Sequence, residues 1–361
     1  MSGHEILIAL MALFAVLGAA DKILGDRFGL GKGFEEGILA MGSLALAMAG
    51  VITLAPVLAA VLKPVVVPIY SFLGADPAMF AGTILACDMG GGSLAMELTE
   101  NTQAALLGGV ITGSMLGATV VFTIPIAMGI LKEEDRSAMA KGILCGIVTI
   151  PIGVLVGGLT AGFDPLLVLR NLIPIVLIAA LIVLGLWRSE NAMIRGFAAF
   201  GKGVVVLVTV GLAAAIVEEL TGFAPIPGTA PISDAFETVG TIAIVLAGAF
   251  PLVAVLTRLL QRPLKKLGRV LGINDAAAAG LIASLANSIA TFGLVKDMDP
   301  RGKVVNIAFA VSAAFVFGDH LGYTAGFAPE LLPAMIAGKL AGGISAVILA
   351  LWLTRKEEKP L

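Results

Sequence analysis

Thr160-Ala161-Gly162-Phe163-Asp164-Pro165 occurs again, with one residue changed, as Thr324-Ala325-Gly326-Phe327-Ala328-Pro329. At this spacing of 164 residues an ungapped stretch from Thr112 to Leu167 pairs Gly129 with Gly293, Lys132 with Lys296, Asp135 with Asp299 and Ile143 with Ile307. Both copies then run through an apolar segment to a Leu-Trp pair, at Trp187 and Trp352, and upstream Gly33-Phe34 faces Gly196-Phe197. Isolated identities carry little weight in a chain so rich in Ala, Gly and Leu, so the argument rests on the constant register and the six-residue signature. Two apolar repeats in one chain are a common plan of secondary transporters, whose substrate sites form where the repeats meet.

Composition narrows the class. Hydrophobic residues are 58% of the chain and charged residues 13%, and the mean hydropathy is +1.04; no soluble globular domain of this length has such values. The net charge of −2 gives no sign of a nucleic-acid partner. Charges gather in short clusters between apolar runs, which read as loops in an all-α polytopic membrane protein bathed in a lipid bilayer. Cys87 and Cys145 both lie in apolar stretches, which excludes a disulfide framework and a Cys-based metal site. The run from Ile6 to Ala20 lacks a basic lead and a small-residue cleavage site, and reads as an uncleaved first span.

Crossing the hydrocarbon core takes roughly 20 apolar residues. On that ruler about 11 segments qualify, at 5–24, 36–60, 77–98, 105–131, 141–161, 165–187, 200–220, 237–258, 276–294, 303–324 and 331–353. Backbone groups in lipid must be satisfied within their own segment and nothing alternates with a period of two, so each segment is expected to be helical. The organisation expected is a first helix and loop at 1–32, repeat 1 at 33–190, repeat 2 at 196–353 and a charged tail at 354–361, with five segments per repeat and the copies inverted. Loop charges oppose part of this scheme. Basic loops at 22–32, 132–141, 188–202, 258–269, 296–303 and 355–359 alternate with loops free of Lys and Arg at 161–169, 218–237 and 325–330. If every basic loop is cytoplasmic, then 276–294 enters and leaves on one face as a re-entrant hairpin, and its repeat partner 105–131 is a candidate for the same shape.

Polar groups at membrane depth point to a pathway. Asp88 lies 12 residues beyond Asp76, roughly 18 Å into a helix, within Cys87-Asp88-Met89-Gly90-Gly91-Gly92. Consecutive glycines weaken a helix by about 1 kcal/mol each relative to Ala and let backbone groups face a cavity; close helix packing is the plainer explanation. Asp319-His320 is a cation site, a proton relay or a satisfied polar pair. Asn287-Ser288 interrupts 276–294 and either meets a ligand or bridges helices. Glu36, with Glu35, favours the positive end of a helix dipole unless the site reaches the interface. Arg170 and Lys339 are the only basic residues inside apolar runs, near span ends where snorkelling accounts for them. The buried charge is thus acidic, which suits a small cation. With two Trp and two Tyr an aromatic cage is not evident, and a primary amine held by oxygens fits best. The substrate-binding set expected is Asp88, Asn287, Asp319 and His320 with Cys87, Met89, Gly90, Gly91, Ser288 and Glu36, without cofactor or metal.

These residues carry a family resemblance. Phe34-Glu35-Glu36-Gly37, Met41-Gly42, Leu44-Ala45-Leu46-Ala47-Met48, Met79-Phe80-Ala81-Gly82-Thr83, Ala86-Cys87-Asp88-Met89-Gly90-Gly91, Val148-Thr149-Ile150-Pro151-Ile152-Gly153 and Phe317-Gly318-Asp319-His320-Leu321-Gly322 resemble, in order and over nearly the whole chain, the bacterial ethanolamine transporter family of the EutH type. The resemblance implies a multi-pass inner-membrane permease that brings ethanolamine into the cytoplasm for breakdown to acetaldehyde and ammonia, by facilitated diffusion or ion-coupled uptake, as a monomer or homo-oligomer. An intramembrane enzyme is the rival class, but the chain has no His-Glu-x-x-His motif and a single His in its apolar runs; aspartyl chemistry would need Asp88 and Asp319 to face each other. A carrier of another small amine or cation is the second alternative.

Overall fold

The computed structural model describes residues 3–355, so the tail expected at 354–361 lies outside the described residues beyond Arg355. Helices account for almost all of them, with no strand among them. In chain order they are α1 (Gly3–Ile23), α2 (Leu30–Leu44) running through a π turn into α3 (Gly50–Phe72), α4 (Ala78–Ile84), α5 (Gly91–Leu98), α6 (Thr102–Leu106) running through π-helical turns into α7 (Ile124–Ile130), α8 (Arg136–Thr160), α9 (Pro165–Thr221), α10 (Ile232–Leu271), α11 (Asp275–Ala286), α12 (Ser288–Leu294), α13 (Pro300–Ala313), α14 (Asp319–Phe327) and α15 (Leu332–Thr354). Among the described residues seven helical stretches are long and apolar enough to cross a membrane. Their outward residues are large and apolar, among them Val16, Val61, Phe72, Leu181 and Ile348, while Trp187 and Trp352 stand exposed next to basic segments, where amphipathic rings anchor at a bilayer interface.

Helix starts are set by side-chain caps. Asn101, Asp164, Asn274 and Asp299 each accept from a backbone N–H three residues on, at 3.2, 2.8, 2.9 and 3.1 Å, and Pro165 and Pro300 occupy the first helical position, where the missing N–H costs nothing. Two expected loops are helical instead. The basic stretch 258–269 lies inside α10, and 188–202 lies inside α9, which is broken only at Ser189 (φ −159°, ψ 80°). There Met193 folds back against Gly185, so α9 supplies two crossings, and the expected seam between 190 and 196 follows directly on the break.

Two apolar segments do not cross. A straight helix over 77–98 would span roughly 33 Å, yet Thr99 Oγ1 donates to Asp76 Oδ2 at 2.9 Å. Segment 77–98, expected as a crossing, is therefore a hairpin of α4 and α5. Likewise the Asn274 N–H donates to Asp299 Oδ1 at 2.8 Å and its side-chain amide to the Asp297 carbonyl at 2.9 Å, which closes α11 and α12 into a second hairpin. The first hairpin opens beside Asn171, which accepts from the Asp76 N–H. The second opens at the other end of the bundle, where Lys303 pairs with Asp135 at the start of α8. The hairpins thus enter from opposite faces.

With α9 folded back at Ser189 and the hairpins entering from opposite faces, the basic segments at 22–32, 132–141, 188–202, 258–269 and 296–303 fall at one end of the bundle and the loops free of Lys and Arg at 161–169, 218–237 and 325–330 at the other. This removes the conflict in the loop charges. Segment 105–131 does not follow the second hairpin: it stays helical throughout, with π turns over Leu107–Gly117 and Thr119–Thr123. The hairpins start at Ala78 and Asp275, 197 positions apart rather than 164, although the shorter register does set Asp135 over Asp299, two helix N-caps.

Candidate functional site

The two hairpin tips, the π-helical segment between α6 and α7 and the break between α13 and α14 converge at the centre of the bundle. The first tip packs tightly on the π-helical segment: a side chain at Gly82 would strike the Gly108 carbonyl, and one at Gly117 the Leu85 carbonyl. Past Ile84 the backbone turns extended at Leu85 and Ala86, makes a single 3₁₀ turn over Cys87–Met89, and reverses at Gly90, whose φ of 84° lies in the left-handed region. Val51 occupies the space a Cβ at Gly90 would need, so this reversal requires glycine. The N–H groups of Met89 and Gly91 both donate to the Ala86 carbonyl, at 3.0 and 3.1 Å.

On the opposite side the helix begun by α13 stops at Ala313. Phe315 takes a φ of 63°, a strained value for a side-chain-bearing residue. The N–H groups of Phe315 and Phe317 donate to the carbonyls of Ser284 and Leu285, at 3.0 and 2.8 Å. The second tip thus satisfies backbone groups that the break sets free, as membrane depth requires. α14 then starts with Asp319 and His320 in its first turn, near the positive end of its dipole. Phe315 meets Phe122 edge-on at 5.5 Å and lies 5.2 Å from the His320 ring, while Thr119 Oγ1 donates to the Val311 carbonyl at 3.0 Å and joins the π-helical segment to α13.

A cavity of about 570 Å³ opens between them, lined by Asp88, Met89, Asp319 and His320 at its inner end, by Phe122 and Phe315 along its wall, and by Ser43 and Lys202 toward the basic face. His320 Nε2 lies 3.6 Å from Asp88 Oδ1, and the Asp319 carboxylate lines the same cavity. His320 Nδ1 is buried without a partner in the protein. The Cys87 thiol, an Asp88 oxygen and a His320 nitrogen lie within 4.8 Å of one another, the donor set among the described residues that would surround a metal ion. A buried ammonium already stands beside it.

That ammonium belongs to Lys339, which corrects the snorkelling expected of it. Lys339 is 1% exposed; its Nζ donates to the Ser114 carbonyl at 2.5 Å and acts on Asp88 and Cys87. Its place in α15 faces the crowded seam with α8, where Gly338 and Gly157 leave no room for a Cβ between the two backbones. The signal in the sequence was this lysine inside a run of small residues.

The other expected site residues divide. Asp88, Met89, Asp319 and His320 share the cavity. Cys87 is buried behind Asp88, and Gly90 and Gly91 shape the tip. Asn287 does not line the cavity: its Oδ1 accepts from the Ile289 N–H at 2.7 Å and caps α12. Ser288 keeps a buried hydroxyl away from the cavity. Glu36 is exposed on α2, 3.8 Å from Lys32; because α2 begins at Leu30, it lies in the second turn and not at the helix start expected of it, and its surface pair with Lys32 accounts for it.

Toward the face without basic loops, Tyr323 and Phe327 stack at 5.1 Å. The Tyr323 hydroxyl is buried without a partner and sits where a side chain on Gly92 would fall. Beyond this layer a second hollow of about 420 Å³ is lined by Ser93, Glu97, Asp234, Phe327 and Glu330. A cavity with buried charge at its inner end and a second, acidic hollow beyond the Tyr323–Phe327 pair, in a bundle of apolar helices long enough to cross a membrane, fit one class: a multi-pass membrane transport protein.

Comparison gives the particular family. Residues 4–353 match the family described as "Ethanolamine utilisation protein, EutH". The chain is 59% identical over 359 residues to the "Probable ethanolamine permease EutH" of Listeria monocytogenes, covering 99% of this chain and 96% of that one. It is 50% identical over 354 residues to the "Uncharacterized protein YxeR" of Bacillus subtilis, covering 98% and 96%, and 47% identical over 396 aligned positions to the "Probable ethanolamine permease EutH" of Escherichia coli, covering 99% and 97%. No solved structure matches. The chain belongs to the EutH family. It is a transporter of ethanolamine utilisation rather than an enzyme, and a multi-pass protein of the bacterial inner membrane.

Proposed function

We propose that this chain imports ethanolamine as its ammonium cation, held during passage by Asp88 and Asp319. The observation that carries the reading is the cavity itself: two carboxylates from separate elements, a hairpin tip and the start of α14, face one mostly apolar space, with His320 between them and Lys202 among its lining residues. An aliphatic amine is protonated at neutral pH, and an ammonium leaving water must recover its lost hydration from carboxylates and other oxygens. The inner cavity opens toward the basic, cytoplasmic face, and the Tyr323–Phe327 layer closes the way outward, so this conformation faces the cytoplasm. The acidic outer hollow with Glu97, Asp234 and Glu330 raises the local cation concentration at the other mouth.

Import then requires the aromatic layer to part while the basic-side mouth narrows, with the two hairpin tips as the moving contacts. The two-repeat plan supports this reading when each unit is drawn around its hairpin, α1 to α8 and the second half of α9 to α15, with the first half of α9 as the linking span that inverts the second unit. Membrane potential draws the cation inward whether the carrier is a facilitator or ion-coupled. The test is binding and uptake of radiolabelled ethanolamine by the purified chain in proteoliposomes, wild type against Asp88→Asn. Saturable uptake that the substitution abolishes supports the reading, and absence of uptake by wild type refutes it.

A further inference from the structure

We propose that Lys339 sets the charge valence of the site, cancelling one of its two carboxylates so that it accepts a monoamine and rejects a diamine. The inference rests on the amine-carrier reading above. It begins from a count of buried charge. Asp88 and Asp319 both line the cavity. Lys339 does not line it; its ammonium is fixed to the Ser114 carbonyl, and the neighbouring Gly113 packs directly on the backbone of Cys87, so the ammonium stands beside Asp88 on the protein side. His320 faces Asp88 at 3.6 Å, but its Nδ1 is buried without a partner. A neutral imidazole tolerates that arrangement, whereas an imidazolium would leave an N–H desolvated and unpaired. Cys87 and Tyr323, the other ionisable groups at the centre, are buried and count as a thiol and a phenol. Taken as ionised, two carboxylates and one ammonium leave a single negative charge, which one ethanolammonium balances. A dication would leave the dry centre with a surplus positive charge, and buried charge without a partner is costly. Discrimination between amines of similar size thus comes from a residue that the substrate never touches.

The test is competition binding on the purified full-length chain, with radiolabelled ethanolamine displaced by unlabelled ethanolamine or by 1,3-diaminopropane. Wild type is expected to prefer ethanolamine. Lys339→Met is expected to shift the preference toward the diamine by about tenfold or more, and Lys339→Gln, which keeps a donor for Ser114, to do the same. The double variant Lys339→Met/Asp319→Asn restores the count of one net negative charge and is expected to return the preference to ethanolamine. A merely structural lysine would weaken both ligands together and leave their ratio unchanged. An unchanged ratio in both Lys339 variants, or a double variant that still prefers the diamine, overturns the inference while leaving the amine-carrier reading intact. Wild-type protein that binds neither amine overturns that reading instead.

Discussion

Replacing Asp88 by Asn keeps the shape of the first hairpin tip and removes its charge. The size of the effect follows from the position of the carboxylate: it is 16% exposed, faces the cavity, and has the imidazole of His320 at 3.6 Å. An ammonium docked about 4 Å away at an effective dielectric near 20 gains about 4 kcal/mol. Part of that gain repays desolvation of the cation, and Asp319 still stands in the same cavity, so the expected net loss is about 2 to 3 kcal/mol, near the low end for breaking a buried charge pair. That corresponds to about 30- to 150-fold weaker binding. Scintillation-proximity binding of radiolabelled ethanolamine to detergent-solubilised protein reads the change directly, with thermal unfolding alongside to establish that Asp88→Asn protein is folded. A folded variant that binds within about threefold of wild type, under 1 kcal/mol, would remove Asp88 as the ammonium anchor.

Three further outcomes are expected. Gly90→Ala forces a Cβ into the left-handed region and against Val51, so it should lower stability by at least about 1 to 2 kcal/mol and reduce uptake with it; unchanged melting would contradict the tip geometry. Asn287→Ala removes the cap of α12 and should cost about 1 kcal/mol of stability with little change in ethanolamine Kd once the protein is folded, whereas a large affinity loss at unchanged melting would return Asn287 to the binding site. Glu36→Gln, at an exposed pair with Lys32, should leave both uptake rate and melting temperature close to wild type, since such pairs contribute about 0 to 1 kcal/mol.

What the sequence made legible, and what it hid, follows from the physics of each segment. Membrane class and helical content came from composition, because a bilayer permits few backbone solutions. Asp88 and Asp319-His320 were legible because ionisable groups are rare at such depth, and the loop charges already required a hairpin at 276–294. The first hairpin was not legible by length, since a run of 22 apolar residues serves equally as one crossing or as two short arms. The polar residues that bound it, Asp76 and Thr99, mirror Asn274 and Asp299, and that mirror was the usable signal. The 164-residue register caught a true likeness between the helix starts at Asp135 and Asp299, but it ran the second hairpin against a continuous helix. Lys339 was misplaced because distance along a helix does not report depth: α15 packs on α8 and α13, and its eighth residue already lies in the protein interior. Asn287 caps α12 and is not among the cavity's lining residues, because an Asn in an apolar run satisfies a helix N-terminus as readily as a ligand.

The most direct test of the central claim, that a protonated amine passes the Asp88–Asp319 centre, is radiolabelled ethanolamine uptake into proteoliposomes under an imposed potassium-diffusion potential. The account predicts saturable uptake that an inside-negative potential accelerates, at about 2.3 kcal/mol per charge for each 100 mV, and that is lost in vesicles carrying Asp88→Asn protein. Uptake by wild type that ignores the potential, or equal uptake by the folded variant, would contradict it.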